Sequence, residues 1–293
     1  MKVSVVICTY GRPEEVKRLL KELSGQQFED FEVLVICQRN KRDFEEIKDS
    51  VKTTYPIKWY YEPEPNLPHA RNVGIKETSG EVVIFIDDDV RPSDGLIDAF
   101  VSNYSDSSVG MVGGRVLGDK YVEDVPDSKI GKVRKFDAFT HLGFHKDVKC
   151  EVMHVKGVNM SVRRDIALEI GGFDERFEGT AECEEMDFCL RVLKKGYKII
   201  FEPKAVVEHF QLSSGGCRVE RREEQIYWLY RNHSLAFLKN FNKLFYPILI
   251  AEYVIRLILR SLRWRNPKII VSALRGMRDG LKAYLSKPPM RLW

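Results

Sequence analysis

The chain has 293 residues, 44% of them hydrophobic and 31% charged, which is too apolar for a disordered chain and too charged for a bundle of membrane spans. This length suits a core of roughly 200–250 residues with an appendage. Its net charge of +4 hides a split, because residues 218–293 hold 16 Lys and Arg against 5 Asp and Glu while residues 1–217 hold 31 against 38.

From the start, 3–8 is a nearly continuous β-branched run and predicts a strand buried on both faces. Pro13, Glu14 and Glu15 suit the first turn of a helix whose apolar face is Val16, Leu19, Leu20 and Leu23. Strands are expected at 31–37, 57–61 and 81–86, with a helical stretch through Phe44, Ile47 and Val51 and another helix over about 68–78. This alternation predicts a parallel α/β sheet, in which ligands sit beyond the carboxyl ends of the strands. Then come a helix at 95–104, a strand at 109–114, a polar and poorly periodic insertion at 118–150, an ordered stretch at 152–163, a helix at 184–195 and a strand at 197–201. No secretory signal is expected at this start. The six scattered cysteines, with no C-x-x-C pair, suit reduced thiols in the cytoplasm.

Asp87-Asp88-Asp89 closes the fourth strand. Strand alternation would put Asp87 and Asp89 on one side and Asp88 on the other, and two oxygen ligands suit a hard divalent ion that completes its shell with phosphate. A solvated acidic turn is the plain alternative. Neither a G-x-x-x-x-G-K-[ST] loop nor a G-x-G-x-x-G turn follows the first strand, which ends in Thr9-Tyr10-Gly11-Arg12-Pro13. This disfavours a P-loop ATPase and a standard dinucleotide dehydrogenase.

Four segments occur in one order: 5–12 (VVICTYGR), 66–75 (NLPHARNVGI), 85–89 (FIDDD) and 171–175 (GGFDE), with 184–191 (EEMDFCLR) downstream. Together they resemble the family 2 glycosyltransferases over roughly residues 1–238. The resemblance implies a GT-A fold, a Rossmann-like mixed, mostly parallel sheet flanked by helices. Its nucleotide-sugar half would be about 1–115 and its acceptor half about 116–217, with 218–293 a basic amphipathic helical extension. It also implies metal-dependent, inverting transfer of a sugar from a nucleoside-diphosphate donor to a hydroxyl of a glycan or lipid-linked acceptor, with Mn²⁺ or Mg²⁺ as cofactor. Thr9, Tyr10 and Arg12 fall where the family lines its nucleotide pocket, and Arg71 near the base or phosphates. Asp87 and Asp89 match the D-x-D metal motif, Asp88 stands nearer the ribose, and His209 completes the metal site. Glu185 matches the catalytic base, with Glu184 as the neighbouring candidate, and Asn159 and Glu184 border the acceptor. The chain departs from the family at Cys37-Gln38-Arg39-Asn40, where an acidic residue is usual and Gln38 or Asn40 would read the base, and at Glu185, where an Asp is usual.

Acids such as Glu184, Glu185 and Asp187 also suit a helix N-terminus for dipole reasons alone. His141, His145 and His154 have no partner spacing that supports a metal cluster. A sugar-phosphate nucleotidyltransferase would carry a Gly/Arg/Lys-rich loop after the first strand. A nucleic-acid-binding protein would interleave aromatics with its basic residues, and no nucleic-acid partner is expected.

In the basic end, Glu252, Arg256, Arg260 and Arg263 form a polar stripe over 244–264, with Phe245, Leu249, Ile250, Val254, Ile258 and Leu262 opposite. Ile270, Leu274, Met277, Leu281 and Leu285 repeat the theme against Arg275, Arg278 and Lys282. The apolar run 244–259 is 16 residues with two charges, short of the roughly 20 a span needs. It is expected to lie on an anionic membrane surface, at the cytoplasmic face. The other reading is helices packed on the catalytic domain or on a second subunit.

Overall fold

The computed structural model describes residues 1–120 and 122–286. Its sheet begins with four parallel strands: β1 (Val3–Thr9) pairs β2 (Phe31–Gln38) and β4 (Val82–Asp87), and β2 pairs β3 (Ile57–Glu62). The connections are α1 (Pro13–Leu23), α2 (Lys41–Ser50) and α3 (Leu67–Glu77). Both faces are covered. Val3, Val5 and Ile7 meet Leu19, Leu20 and Leu23 on one side, and Val6, Leu34 and Ile36 face Ala70 and Ile75 on the other. Gly74 of α3 lies so close to β1 that a Cβ there would stand 2.5 Å from Val6 Cγ1, which is why a glycine occupies a helix interior.

The second half is mixed. β8 (Asn159–Arg163) runs antiparallel between β4 and β6 (Val109–Leu117), and β6 pairs in parallel with β9 (Lys198–His209). The short β5 (Val90–Pro92) and β7 (Cys150–Val152) flank β9. The expected helix at 95–104 is α4 (Leu96–Val101) ending in a 3₁₀ turn, and 152–163 resolves into β8 with a loop before it. After β8 come α5 (Arg164–Glu169) and α6 (Glu184–Lys194). β9 is much longer than the expected 197–201. It carries a register shift opposite Gly114/Arg115 and continues until Val90 pairs His209. Residues 118–120 and 122–150 form little regular structure, yet Val125, Ile130 and Phe144 are buried in the body's core.

The chain ends in α7 (Arg222–Asn240), α8 (Tyr246–Trp264) and α9 (Lys268–Leu285). These are not a detached tail. Leu235, Phe237, Leu249, Leu257, Ile269 and Ala273 share one buried cluster with Phe177, Met186 and Leu190 of the body. Asp187 of α6, fully buried, accepts from Arg191 at 2.9 Å and Asn240 at 2.7 Å and pairs with Lys239 at 2.9 Å. Gly276 and Gly280 bring α9 onto α7, where added Cβ atoms would stand 2.3 Å from the carbonyls of Tyr227 and Arg231. The expected division of α8 into one polar and one apolar side is corrected. Leu249, Tyr253 and Leu257 are buried, whereas Phe245, Ile258 and Leu262 of the expected apolar stripe are exposed. Among the described residues, no helix is long and apolar enough to cross a membrane.

Candidate active site

The carboxyl ends of β1, β2 and β4 and the far end of β9 open onto one cleft of about 1040 Å³. At its floor lies the acidic turn. Asp87 is the last residue of β4 and half-exposed, while Asp88 and Asp89 are buried. Pairing of Val90 with His209 carries the imidazole to this turn, so that one donor atom each from Asp87, Asp89 and His209 lies within 4.8 Å of the others. Two carboxylates and an imidazole so close together fit a divalent cation, the imidazole favouring Mn²⁺ over Mg²⁺.

Asp89 is held from several sides. Its Oδ1 is 3.3 Å from His209 Nε2, its Oδ2 is 3.1 Å from Arg12 Nη1, and Oδ2 accepts from the Leu212 amide at 3.1 Å. Burial would raise its carboxyl, but His209 and Arg12 win and hold it at about 2. Asp88 turns the other way, accepting from Thr9 Oγ1 at 2.7 Å and Arg12 Nη1 at 2.6 Å. Burial outweighs those partners and pushes it up to about 6. His209 is buried too, which opposes its charging, yet hydrogen bonds to Asp119 and Asp89 raise it to about 9. Asp119, which the sequence analysis missed, accepts from His209 at Nδ1 (3.0 Å) and from Gln211 (2.9 Å) and pairs with Lys156. A carboxylate on Nδ1 would hold the ring so that Nε2, now facing Asp89, meets a cation once that ion displaces its proton.

Of the residues expected at the nucleotide, Tyr10, Arg12 and Gln38 line the cleft with the three aspartates. Tyr10 accepts from Arg39 at 2.9 Å, and Gln38 accepts from the Asn66 amide at 2.8 Å. Arg12 also grips the 213–218 loop through Ser214 O at 2.8 Å, and Gly215, at φ +73°, lies where a Cβ would meet the Arg12 side chain. Thr9 and Arg71 are enclosed instead. Thr9 supports Asp88. Arg71 pairs with Glu184, donates to Gly157 O at 3.0 Å and stands 3.7 Å from Asp87. Its neighbour Asn72 is structural, exchanging hydrogen bonds with the Phe173 backbone at 2.7 and 2.9 Å.

The acids at the start of α6 separate into different roles. Cys183, at φ +69°, and Ala181, at φ +55°, are non-glycine residues held in the left-handed region, a strain that persists only where the surroundings enforce it. Glu184 is buried against Arg71 and has one oxygen with no partner, so it is poorly placed to meet an acceptor. Glu185 is half-buried. Burial chiefly raises its carboxyl, Arg71 opposes this and Asp87 adds to it. Glu185 is thus within reach of the Asp87 charge, but it is not among the residues that line the cleft. Glu182, not singled out from sequence, lines the open cleft, and its carboxyl too is raised by burial. Asn159 does not border open space. It is fully buried and donates to Arg115 O at 3.1 Å and Ala205 O at 2.9 Å, tying β6 to β9. The expected acceptor role is corrected to a structural one. Gln225 and Trp228 of α7 form part of the cleft wall, so the site extends beyond the expected boundary at residue 217.

The model for glycosyl transferase family 2 matches residues 4–171. A glucosyl-dolichyl phosphate glucuronosyltransferase of Haloferax volcanii is 26% identical over 84% of this chain and 79% of its own length. A GalNAc(5)-diNAcBac-PP-undecaprenol β-1,3-glucosyltransferase of Campylobacter jejuni is also 26% identical, over 61% of this chain and 56% of its own. Among solved structures, the mannosyltransferase PcManGT of Pyrobaculum calidifontis, in complex with GDP-Man and Mn²⁺, superimposes with a TM-score of 0.59. It is 18% identical over 96% of this chain and 75% of that one. S. aureus TarS 1–349 with UDP-GlcNAc gives 0.63 at 16% identity, over 97% of this chain and 81% of that one. With the sheet, the acidic turn and a matched family model all in agreement, the chain belongs to glycosyl transferase family 2 and is a glycosyltransferase.

Proposed function

We propose that this enzyme moves a sugar, with inversion, from a nucleoside-diphosphate donor to a hydroxyl of a lipid-linked glycan at the cytoplasmic face of a membrane. The observation that carries the reading is the grouping of Asp87, Asp89 and His209 at the floor of the cleft. A divalent ion on those three residues would offset the charge on the departing diphosphate. Tyr10 and Gln38 would flank the nucleotide, and Arg12 would trade its contacts with Asp88 and Asp89 for phosphate oxygens. Glu185 would take the acceptor's proton as the hydroxyl attacks. Its raised carboxyl suits that task, which is worth about 10²–10⁴-fold. A single displacement on the face opposite the leaving group inverts the anomeric centre. The lipid-linked acceptor draws support from the names of the Haloferax and Campylobacter relatives.

The test is a thermal-shift screen of UDP-, GDP- and dTDP-sugars with and without Mn²⁺, since a ligand of the folded state raises its stability. It is followed by NMR of the product's anomeric configuration. Stabilisation by one donor class only when Mn²⁺ is present, and an inverted product, are expected. Metal-independent binding or a retained configuration would overturn the proposal.

A further inference from the structure

α8 has two apolar faces, and its neighbours cover only one. Leu249, Tyr253 and Leu257 are buried against α7 and α9. On the opposite side Ile248, Ile255, Leu259 and Leu262 are exposed, by 57% at Ile248 and 71% at Leu262. Their spacing of three, four or seven residues keeps them on one stripe roughly 21 Å long. A contiguous apolar surface of this kind marks an interaction site.

Charge selects the partner. Residues 243–286 hold nine Lys and Arg against two acids, Glu252 and Asp279. Both acids are already taken, Glu252 by Arg256 and Asp279 by Arg278 and Lys282. Two copies meeting through this face would bring like charges together. A bilayer with anionic headgroups meets both needs, taking the stripe into its acyl boundary and the cations at its phosphates.

We infer that the exposed face of α8 docks this enzyme flat on an anionic lipid surface with the cleft's rim beside the headgroups. The second part follows from how α8 ends. Arg222 lies 4.5 Å over the Trp264 ring, and Asn266 donates to Glu223 at 2.6 Å, joining the end of α8 to the first turn of α7. Glu224, Gln225 and Trp228, immediately beyond, line the cleft. A sugar carried on a membrane lipid would thus present its polar end at the site. The inference deepens the lipid-linked reading of the acceptor, but its test needs no turnover and fails separately from it.

The experiment is flotation of the full chain with phosphatidylglycerol or phosphatidylcholine vesicles. It compares wild type, the exposed-face variant Ile255→Asp/Leu259→Asp and the charge variant Arg263→Glu/Arg275→Glu. Wild type should float with phosphatidylglycerol and stay down with phosphatidylcholine. The apolar variant should partition at least tenfold more weakly, and the charge variant about fivefold more weakly per residue at low salt. Melting temperatures and donor-induced shifts should match wild type in both variants. Equal flotation with both lipids, or variants that bind like wild type, would overturn the inference. So would a lipid-free dimer that Ile255→Asp/Leu259→Asp converts to monomer.

Discussion

Replacing Asp119 with Asn tests the proposed metal site without touching Asp87, Asp89 or His209. In the structure Asp119 Oδ1 receives both His209 Nδ1 (3.0 Å) and Gln211 Nε2 (2.9 Å), while Lys156 approaches its other oxygen. An asparagine keeps the shape but loses the charge. It must also aim an amide N–H at one of three donors, so the imidazole of His209 is no longer pinned with Nε2 toward the acidic turn. Loss of such an outer partner weakens metal affinity by about 10–100-fold, or ~1.4–2.8 kcal/mol. The assay is a titration of nucleotide-free protein with Mn²⁺ followed by EPR, which reports binding without turnover. The metal-free melting temperature serves as a check on folding. Mn²⁺ affinity within about twofold of wild type in a folded Asp119→Asn protein would refute the reasoning. Asp119 would then be only a bracket between β6, β9 and Lys156.

Three other substitutions probe separate parts of the molecule. Glu185→Gln should keep Mn²⁺-dependent donor binding and lose about 10²–10⁴-fold in transfer rate; if Glu182→Gln loses the rate instead, the proton acceptor is the residue that fronts the cleft. Gly276→Leu should destabilise the fold by about 1–3 kcal/mol or more in urea titrations, because the group met at 2.3 Å is the Tyr227 carbonyl, and backbone cannot step aside. Burial holds His154 down to about 4, so the unfolded chain binds the extra proton first. Stability from this residue is complete above about pH 6.5 and is lost as the pH falls toward 4, by up to about 3 kcal/mol. His154→Leu should flatten that part of the stability–pH curve, and an unchanged curve would locate the acid sensitivity elsewhere.

Where one physical signal dominates, the sequence was legible. The parallel half could be read because β1, β2 and β4 are buried on both faces and so appear as mostly apolar runs rich in β-branched residues. The acidic turn was legible because three carboxylates after such a run have few other uses. The rest depended on contacts between distant segments. β9 looked short because Pro203 and a register shift interrupt its pattern. Asp119 follows Gly118 in a stretch with no period, and only the fold brings it to His209. Within the expected helical extension α7 was not distinguished as its own helix because it buries polar Asn232 and Ser234 beside Phe237, which blurs a 3.6-residue repeat. α8 misled because a helix apolar on opposite sides does not disclose which side its neighbours take. Asn159 shows the limit of motif matching, since an amide in the right segment can serve the sheet.

The Trp228 indole is the surface against which Gly179 lies flat, since a Cβ on Gly179 would stand 2.2 Å from the ring. One wall of the cleft is thus supplied by a segment that the matched family region does not reach. A chimera that exchanges residues 1–217 between relatives would inherit half a chamber. The natural unit for swapping, shuffling or trimming runs at least through Asn240, where α7 ends on Asp187.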